Sequence, residues 1–382
     1  MLKRSAILLT SSCLLLASIP RLPQRATRQL SRTFNTLTAG RLFTSSATSS
    51  PKMLVLLDWD ETLTSHDTLA QIAPPDGSHG GPSFAHYSKE YMSDYESHVQ
   101  TYRDPDVKSI KTIAEQFDFL GSLAEVELKS NQRIEEGGLF KGWDPAAAEK
   151  RARTLVQLRP GVKDSLQRFL LAHKETVQAG VVSVSWSTVF VRAGLGVKHV
   201  KEEETQLQLP SAGNHDEGDG FPLHFLRSNT IDLDPQTHLG TGKMSKSGTS
   251  GVRTGLDKLR EMSRVLSKTG PQLTVYAGDS NTDLPCLLYA SVGLILGDSK
   301  SLQSTLERLS LADSVVNGFE AFQSRFKASQ ANVKAIKSDQ NDGKDILSLL
   351  EAKKAEDFFL VRVGDWHEGT KVLETLLDHS EQ

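Results

Sequence analysis

The stretch 53-MLVLLDWDET-62 joins a run of five apolar residues to two acids, Asp58 and Asp60. A short apolar run followed at once by polar residues is typical of a strand that is buried on both faces of a sheet. The two acids would then lie at the carboxyl end of that strand, where ligands bind in open α/β sheets. This stretch therefore predicts a parallel sheet with a functional site at the tip of its first strand.

Similar apolar runs recur further along the chain, each bounded by polar residues, Gly or Pro. These runs cover residues 180–184, 273–277, 292–296 and, as a fifth candidate, 358–363. Helical spacing lies between them, for example at Val162, Leu166 and Phe169. Strands that alternate with helices predict an α/β fold with a doubly wound, Rossmann-like parallel sheet.

The interval between the first two predicted strands is too long for a simple crossover, which needs about a dozen residues. It contains turn signals at Pro74-Pro75 and Gly80-Gly81, followed by charged sequence that is compatible with helices. We interpret residues 67–155 as a helical cap inserted after the first strand. The predicted core then consists of residues 53–66 plus 156–382.

The beginning of the chain has a composition unlike the rest. Residues 1–57 carry six Arg, two Lys and no acid. An acid-free segment rich in Arg and Ser predicts a mitochondrial transit peptide over residues 1–52. The alternative is a secretory signal, because Lys3-Arg4 precedes an apolar stretch that is too short to span a bilayer. Met53 is a candidate internal start, which would give a cytosolic form.

The charge of the remaining chain limits its partners. The net charge is −3, and without the eight early positive charges the remainder carries about −11. Such a body disfavours nucleic acid as a partner, because proteins that bind phosphate backbones present clustered basic surfaces. We expect no membrane segment in the mature form, and the sequence leaves the oligomeric state open.

The pair Asp58 and Asp60 supplies what phosphoryl transfer to a carboxylate needs. One carboxylate attacks phosphorus, while the other protonates the leaving oxygen and later activates water. Acids this close repel each other unless a cation lies between them. Oxygen ligands and a phosphate substrate select Mg²⁺ as that cation. Thr62 either contacts the substrate or caps the following helix.

Further metal ligands are expected at the tip of another strand. Asp58 can offer a side-chain oxygen and Asp60 a backbone carbonyl. Asp279 follows the run 273–277 and is the natural third ligand. Asp283, four residues on, can bind a water of the metal or hold a lysine in place. The predicted magnesium site therefore comprises these four acids.

The transferring phosphoryl group also needs hydrogen-bond donors and a positive charge on the side away from the metal. Ser183 and Ser185, near the end of the second apolar run, are the candidate donors. The candidate cation is Lys258, and Lys243 and Lys246 are the alternatives.

These motifs resemble, in order and spacing, those of the haloacid dehalogenase superfamily. They are Asp58-Trp-Asp-Glu-Thr62, a strand that ends in Ser183, Lys258, and Gly278-Asp-Ser-Asn-Thr-Asp283. The chain is most similar to the phosphoserine-phosphatase-like branch, which has a helical cap after the first motif. Within it, the chain resembles fungal proteins and the phosphatase module of plant thiamine monophosphate phosphatase, where a Trp likewise follows the second-motif Ser, as Trp186 follows Ser183.

The resemblance implies a role for each matching residue. The nucleophile would be Asp58, the acid and base Asp60, the phosphate donor Ser183, the charge anchor Lys258 and the metal ligand Asp279. The second carboxylate implies phosphatase or phosphomutase chemistry, because dehalogenases and P-type pumps of the superfamily lack it.

The chain departs from the family pattern in two places. Glu61 stands where the family usually has Gly, which affects the geometry of the first loop. Residues beyond 300 have no counterpart in the pattern.

The sequence predicts a Mg²⁺-dependent phosphomonoester hydrolase that acts on a small phosphorylated metabolite through an aspartyl-phosphate intermediate. A phosphomutase is the alternative within catalysis. A non-catalytic binding protein that keeps the fold is the alternative outside it, because fold alone does not imply activity. The presence of all four motifs favours the hydrolase.

Overall fold

The computed structural model describes residues 50–102, 110–197, 220–244, 251–271, 273–329 and 355–380, together with residues 346, 350 and 353. The predicted transit peptide up to residue 49 lies outside these ranges. Within them, none of the helices combines the length and the apolar character that crossing a bilayer needs.

The described residues form nine strands, seven of them in one central parallel sheet. The strands are β1 Met53–Leu57, β2 Val177–Val182, β3 Phe225–Arg227, β4 Ile231–Leu233, β5 Gly240–Met244, β6 Leu273–Gly278, β7 Val292–Leu296, β8 Val315–Asn317 and β9 Leu360–Val363. The order in the central sheet is β3-β2-β1-β6-β7-β9-β8, and β4 and β5 pair with each other in an antiparallel hairpin. The predicted α/β class with a parallel, doubly wound sheet is confirmed.

Alternate residues of β1 face opposite sides of the sheet, and both sides are buried. Met53, Val55 and Leu57 belong to one apolar core, and Leu54 and Leu56 belong to the other. A strand covered on both faces needs apolar residues at every position, which is why this stretch shows no alternation.

Helices cover the sheet and fill the interval between β1 and β2. They are α1 Leu69–Ile72, α2 Phe84–Tyr102, α3 Ile113–Ser122, α4 Ala124–Glu136, α5 Pro145–Leu155, α6 Gln167–Ala172, α7 Thr188–Leu195, α8 Gly255–Thr269, α9 Leu284–Tyr289, α10 Lys300–Arg308, α11 Phe319–Ser329 and α12 Trp366–Ser380. A five-residue π-helix, Val162–Leu166, leads into α6.

The interval between β1 and β2 is joined to the hairpin by hydrogen bonds. The N–H of Gly142 donates to the carbonyl of Gly240 at 2.7 Å, and the N–H of Gly240 donates to the carbonyl of Trp143 at 2.7 Å. The N–H of Met244 donates to the Glu135 carboxylate at 2.9 Å. The hairpin follows β3 in the chain, yet its hydrogen bonds tie it to the helical insertion.

The C-terminal portion completes the sheet beyond β7. Strand β9 lies between β7 and β8, and pairs in parallel with both. Helix α12 follows directly and buries Trp366, Leu373 and Leu377 in the core. The described residues beyond 300, which had no counterpart in the sequence pattern, therefore belong to the sheet and the helices that cover it.

Candidate active site

Three neighbouring strands of the sheet end in the predicted site residues. Leu57 in β1 lies level with Val181 in β2 and Ala277 in β6. The next residue, Asp58, donates its N–H to the carbonyl of Ala277 at 2.9 Å. Because the strands are parallel, the residues that follow them, including Asp279, emerge at the same edge of the sheet.

Three buried carboxylates come together at this edge. Asp58, Asp279 and Asp283 each offer an oxygen, and these oxygens all lie within 4.8 Å of one another. Burial, together with repulsion from Asp283, raises the pKa of Asp58 to about 7. Burial and the same repulsion raise the pKa of Asp279 to about 8. Clustered carboxylates that destabilise each other's charged form are suited to a divalent cation, which would relieve the repulsion.

A wholly buried lysine contacts two of these acids. The ammonium of Lys258 lies 2.8 Å from Oδ1 of Asp58 and 2.7 Å from Oδ1 of Asp283. Burial alone lowers the pKa of Lys258, but the charges of Asp283 and Asp58 outweigh it and raise that pKa above its usual value. Lys258 therefore stays charged at neutral pH.

Local sequence explains why Lys258 is held firmly. It lies in the first turn of α8, which begins with a capping box. The Thr254 hydroxyl accepts the N–H of Asp257 at 3.2 Å, and the Asp257 carboxylate accepts the N–H of Thr254 at 3.0 Å. Reciprocal caps of this kind satisfy the free N–H groups that begin a helix.

Of the two alternative lysines, Lys243 is engaged elsewhere. It pairs with Glu135 of the insertion at 3.2 Å, and its side chain is 61% exposed. Lys246 lies outside the described residues.

Asp283 anchors this part of the site by accepting five hydrogen bonds. Its donors are the Lys258 ammonium, the Tyr276 hydroxyl, the N–H groups of Asp279 and Ser280, and the Ser280 hydroxyl. A Cβ at Gly278 would lie 2.4 Å from Cγ of Asp283, so the motif needs glycine at that position. Both oxygens of Asp283 are engaged, which fits the predicted alternative in which it holds a lysine.

Asp60 is held by hydrogen bonds at the start of α1. Its Oδ1 accepts the N–H of Thr68 at 2.7 Å and the Thr68 hydroxyl at 2.6 Å. Burial, followed by the negative charge of Asp67, raises the pKa of Asp60 to about 8. A carboxyl group with this pKa carries a proton at neutral pH and can donate it.

Glu61 and Thr62 shape the loop after the nucleophile candidate. Glu61 has φ +56°, the left-handed conformation that glycine adopts freely and that costs other residues about 1–2 kcal/mol. A glycine at this position would adopt the same conformation without that cost. The Thr62 hydroxyl donates to Oδ1 of Asp279 at 3.0 Å, so this side chain holds a predicted metal ligand.

The loop after β2 carries both candidate serines, and both are fully buried. The N–H of Ser185 donates to the Ser183 hydroxyl at 3.1 Å. Among the described residues, the Ser185 hydroxyl has no hydrogen-bond partner. Neither serine is therefore excluded as a phosphate donor by its own contacts.

Comparison with known proteins gives distant relatives. No model of a known protein family matches the chain. A CTO1 family protein of Schizosaccharomyces pombe is 25% identical over 67% of this chain and 86% of its own length. The bifunctional TH2 protein, mitochondrial, of Arabidopsis thaliana is 24% identical over 56% of this chain, and the match spans only 31% of that protein. A solved HAD family hydrolase of Salmonella enterica has 13% identity, a TM-score of 0.39, and covers 67% of this chain and 66% of its own.

The parallel sheet, the insertion after β1 and the motifs at the strand tips agree with the pattern that the sequence resembles. The fold is a doubly wound parallel α/β sheet, which is the class that this resemblance implies. The predicted resemblance to fungal proteins and to a plant protein is confirmed by the two sequence relatives.

Several residues that support this candidate site were not predicted from the sequence. Tyr276 donates to Asp283 from within β6, at 2.8 Å. Trp366 donates its indole N–H to the carbonyl of Thr62 at 2.9 Å, and Arg159 donates to the carbonyl of Glu61. The contacts of Trp366 and Arg159 are to backbone carbonyls, which leave no signature in residue type or spacing, so the sequence offered no signal for these two residues.

Trp366→Phe should reduce kcat/KM up to about tenfold, because the loop between Asp60 and Thr62 loses an anchor. The buried carbonyl left without its donor should also lower the free energy of unfolding by about 1–3 kcal/mol. Trp143→Phe is the matched control, because it removes an indole N–H bond of 3.0 Å to the carbonyl of Ile72 within the insertion. If both variants lower kcat/KM equally, Trp366 has no special effect on the loop.

Proposed function

We propose that the chain is a Mg²⁺-dependent phosphomonoester hydrolase in which Asp58 forms an aspartyl phosphate. The observation that carries this proposal is the buried group of Asp58, Asp279 and Asp283 with Lys258 in contact with Asp58. When all three acids are deprotonated, three carboxylates and one ammonium leave an excess of two negative charges, which one divalent cation would balance. The resemblance to phosphatases of the superfamily supports the same chemistry.

The residues present fit a magnesium ion. Asp58 and Asp279 supply carboxylate oxygens, and the backbone carbonyl of Asp60 is the further ligand that we propose. Asp283 supports the site by holding Lys258 and the N–H of Asp279. When bound, Mg²⁺ would stabilise the charge that develops on the phosphoryl oxygens.

In the first step, a carboxylate oxygen of Asp58 attacks phosphorus and the ester P–O bond breaks. The leaving oxygen takes the proton of Asp60, whose raised pKa keeps that proton in place at neutral pH. The released alcohol leaves the site, and the phosphoryl group remains on Asp58.

In the second step, the Asp60 carboxylate removes a proton from water, and the water oxygen attacks phosphorus. The bond between Asp58 and phosphorus breaks, which releases inorganic phosphate and returns Asp60 to its protonated form. Lys258 neutralises charge at Asp58 throughout, and Ser183 or Ser185 donates a hydrogen bond to the phosphoryl oxygens.

We further propose that residues 67–155 form a cap that limits the substrate to small phosphorylated metabolites. Trp186, three residues after Ser183, supports this role because its ring packs edge-on against Phe84 and Phe140 of the insertion, with centroids 5.9 and 5.7 Å away. The insertion therefore contacts the loop that carries the candidate phosphate donors.

We also propose that residues 1–52 direct the chain to mitochondria, with a cytosolic form starting at Met53. The acid-free composition supports this location, and the plant relative is named as mitochondrial. Sequencing the N-terminus of the protein from isolated mitochondria tests it.

Hydrolysis of p-nitrophenyl phosphate by the full chain tests the proposed reaction. We expect a rate at least about tenfold higher with Mg²⁺ than after chelation with EDTA, because the acid cluster needs a cation to bind the phosphoryl group. Adding Mg²⁺ back should restore the rate. A rate that changes with neither EDTA nor added Mg²⁺ would contradict a magnesium mechanism. If the chain hydrolyses p-nitrophenyl phosphate, a screen of phosphorylated metabolites identifies its natural substrate.

A further inference from the structure

One buried asparagine outside all four motifs joins the elements that carry Ser183 and Lys258. Asn229 follows β3 by two residues and is only 6% exposed. Its side-chain N–H₂ donates to the carbonyls of Val184, Ser185 and Val252, at 3.0, 3.2 and 2.8 Å.

The same residue also accepts and donates through other atoms. Its Oδ1 accepts the N–H of Val252 at 3.0 Å. Its own N–H donates to the carbonyl of Ser185 at 3.0 Å, and its carbonyl accepts the N–H of Thr188 at 3.1 Å. Asn229 thus pairs with Val252 through both a donor and an acceptor, while it also holds both ends of the loop from Val184 to Thr188.

The two segments that Asn229 joins, residues 184–188 and the residues around Val252, lie next to the candidate phosphate-binding residues. Val184 and Ser185 directly follow Ser183, and Ser185 donates its N–H to the Ser183 hydroxyl. Val252 lies two residues before Thr254, the cap of α8, and Lys258 lies in the first turn of that helix. A shift of either segment would therefore move Ser183 relative to Lys258.

We propose that Asn229 is a positioning residue that fixes the distance between the Ser183 loop and the Lys258 helix. The inference rests on the proposed function, because the two elements are argued to bind the same phosphoryl group. Only a short side chain with a donor and an acceptor can make these bonds: aspartate has no N–H₂, and alanine has neither group.

The test compares Asn229→Asp with Asn229→Ala in the full chain. Aspartate has nearly the same shape as asparagine but would turn an oxygen toward three carbonyl oxygens. We expect inorganic phosphate, in the presence of Mg²⁺, to bind at least about tenfold more weakly to both variants, measured by calorimetry, with Asn229→Asp the weaker of the two. If the Asn229→Asp variant binds phosphate as tightly as the wild type, the proposal is wrong, because the side chain then only fills space.

Amide hydrogen exchange separates this inference from the proposed function, because it needs no substrate. Exchange should become faster in both segments 183–188 and 251–258 of Asn229→Ala, or of Asn229→Ser if the alanine variant does not fold. Thr269→Ala is the control, since it removes a buried hydroxyl bond of 3.0 Å to the carbonyl of Val265 at the other end of α8. Faster exchange in only one segment, or the same pattern in the control, would refute the link even if the chain is an active phosphatase.

Discussion

Asp58→Asn should lower kcat for p-nitrophenyl phosphate by at least about 10³-fold, because an amide cannot serve as the nucleophile that accepts the phosphoryl group. The replacement is nearly isosteric, so the backbone bond from Asp58 to the carbonyl of Ala277 and the surrounding core should remain. The residual rate should equal that of a buffer control.

The covalent intermediate gives a second readout of the same variant. Acid quenching during turnover of ³²P-labelled acetyl phosphate should leave label on the wild-type chain and none on Asp58→Asn. Asp313→Asn makes the same chemical change at an exposed position outside the site, and it should retain both label and activity. Equal labelling of wild type and Asp58→Asn would show that another residue is the nucleophile.

The sequence was sufficient for the central strands of the fold but not for its edges. The run 292–296 matches β7 residue for residue, and 273–277 misses only Gly278 of β6. The predicted run 180–184 lies too far along the chain, since the observed strand β2 begins at Val177 and ends at Val182. Strands buried on both faces are continuous apolar runs, and their boundaries depend on neighbours that the pattern does not show.

The edge strands were missed for a related reason. Strands β3 and β8 have three residues each, which is too short to display any period. The antiparallel hairpin of β4 and β5 was also missed, because β5 is largely Gly and Lys, and β4 has only three residues. The places of β3 and β8 in the sheet come from pairing with β2 and β9, which are distant in sequence.

The acids of the site were predictable, whereas their supports were not. Asp58, Asp279 and Lys258 follow from the strand-tip rule and from the family resemblance, and the structure brings them together. Trp366 lies 304 positions from Thr62, yet it donates to that residue's carbonyl. Asn229 likewise acts on carbonyls and one N–H, groups that every residue has, so only the folded chain identifies it.

Lys258→Met should strongly reduce both stability and activity. Methionine has a similar length but no charge, so Asp58 and Asp283 would face each other buried and unpaired. Removing one partner from a buried ion pair costs about 3–5 kcal/mol of unfolding free energy. Loss of the cation beside the nucleophile should also reduce kcat/KM by about 10²- to 10⁴-fold. Chemical denaturation and steady-state hydrolysis measure the two effects.

The exposed ion pair between Lys243 and Glu135 supplies the control for the stability effect. Lys243→Met removes the partner of Glu135, but that lysine side chain is 61% exposed. Exposed pairs contribute about 0–1 kcal/mol, so this variant should unfold close to the wild type. A Lys258→Met protein as stable as Lys243→Met would contradict the buried charge network.

A double variant separates the structural role of Lys258 from its catalytic role. In Lys258→Met, the further change Asp283→Asn removes one unpaired charge. The new amide N–H₂ can donate to the Tyr276 hydroxyl, while the remaining oxygen still accepts the N–H groups of Asp279 and Ser280. Stability should therefore recover in part, because no buried carboxylate is left facing Asp58 without a partner. Activity should stay low, because the phosphoryl group still lacks its cation. Recovery of activity together with stability would mean that Lys258 acts only by holding the fold.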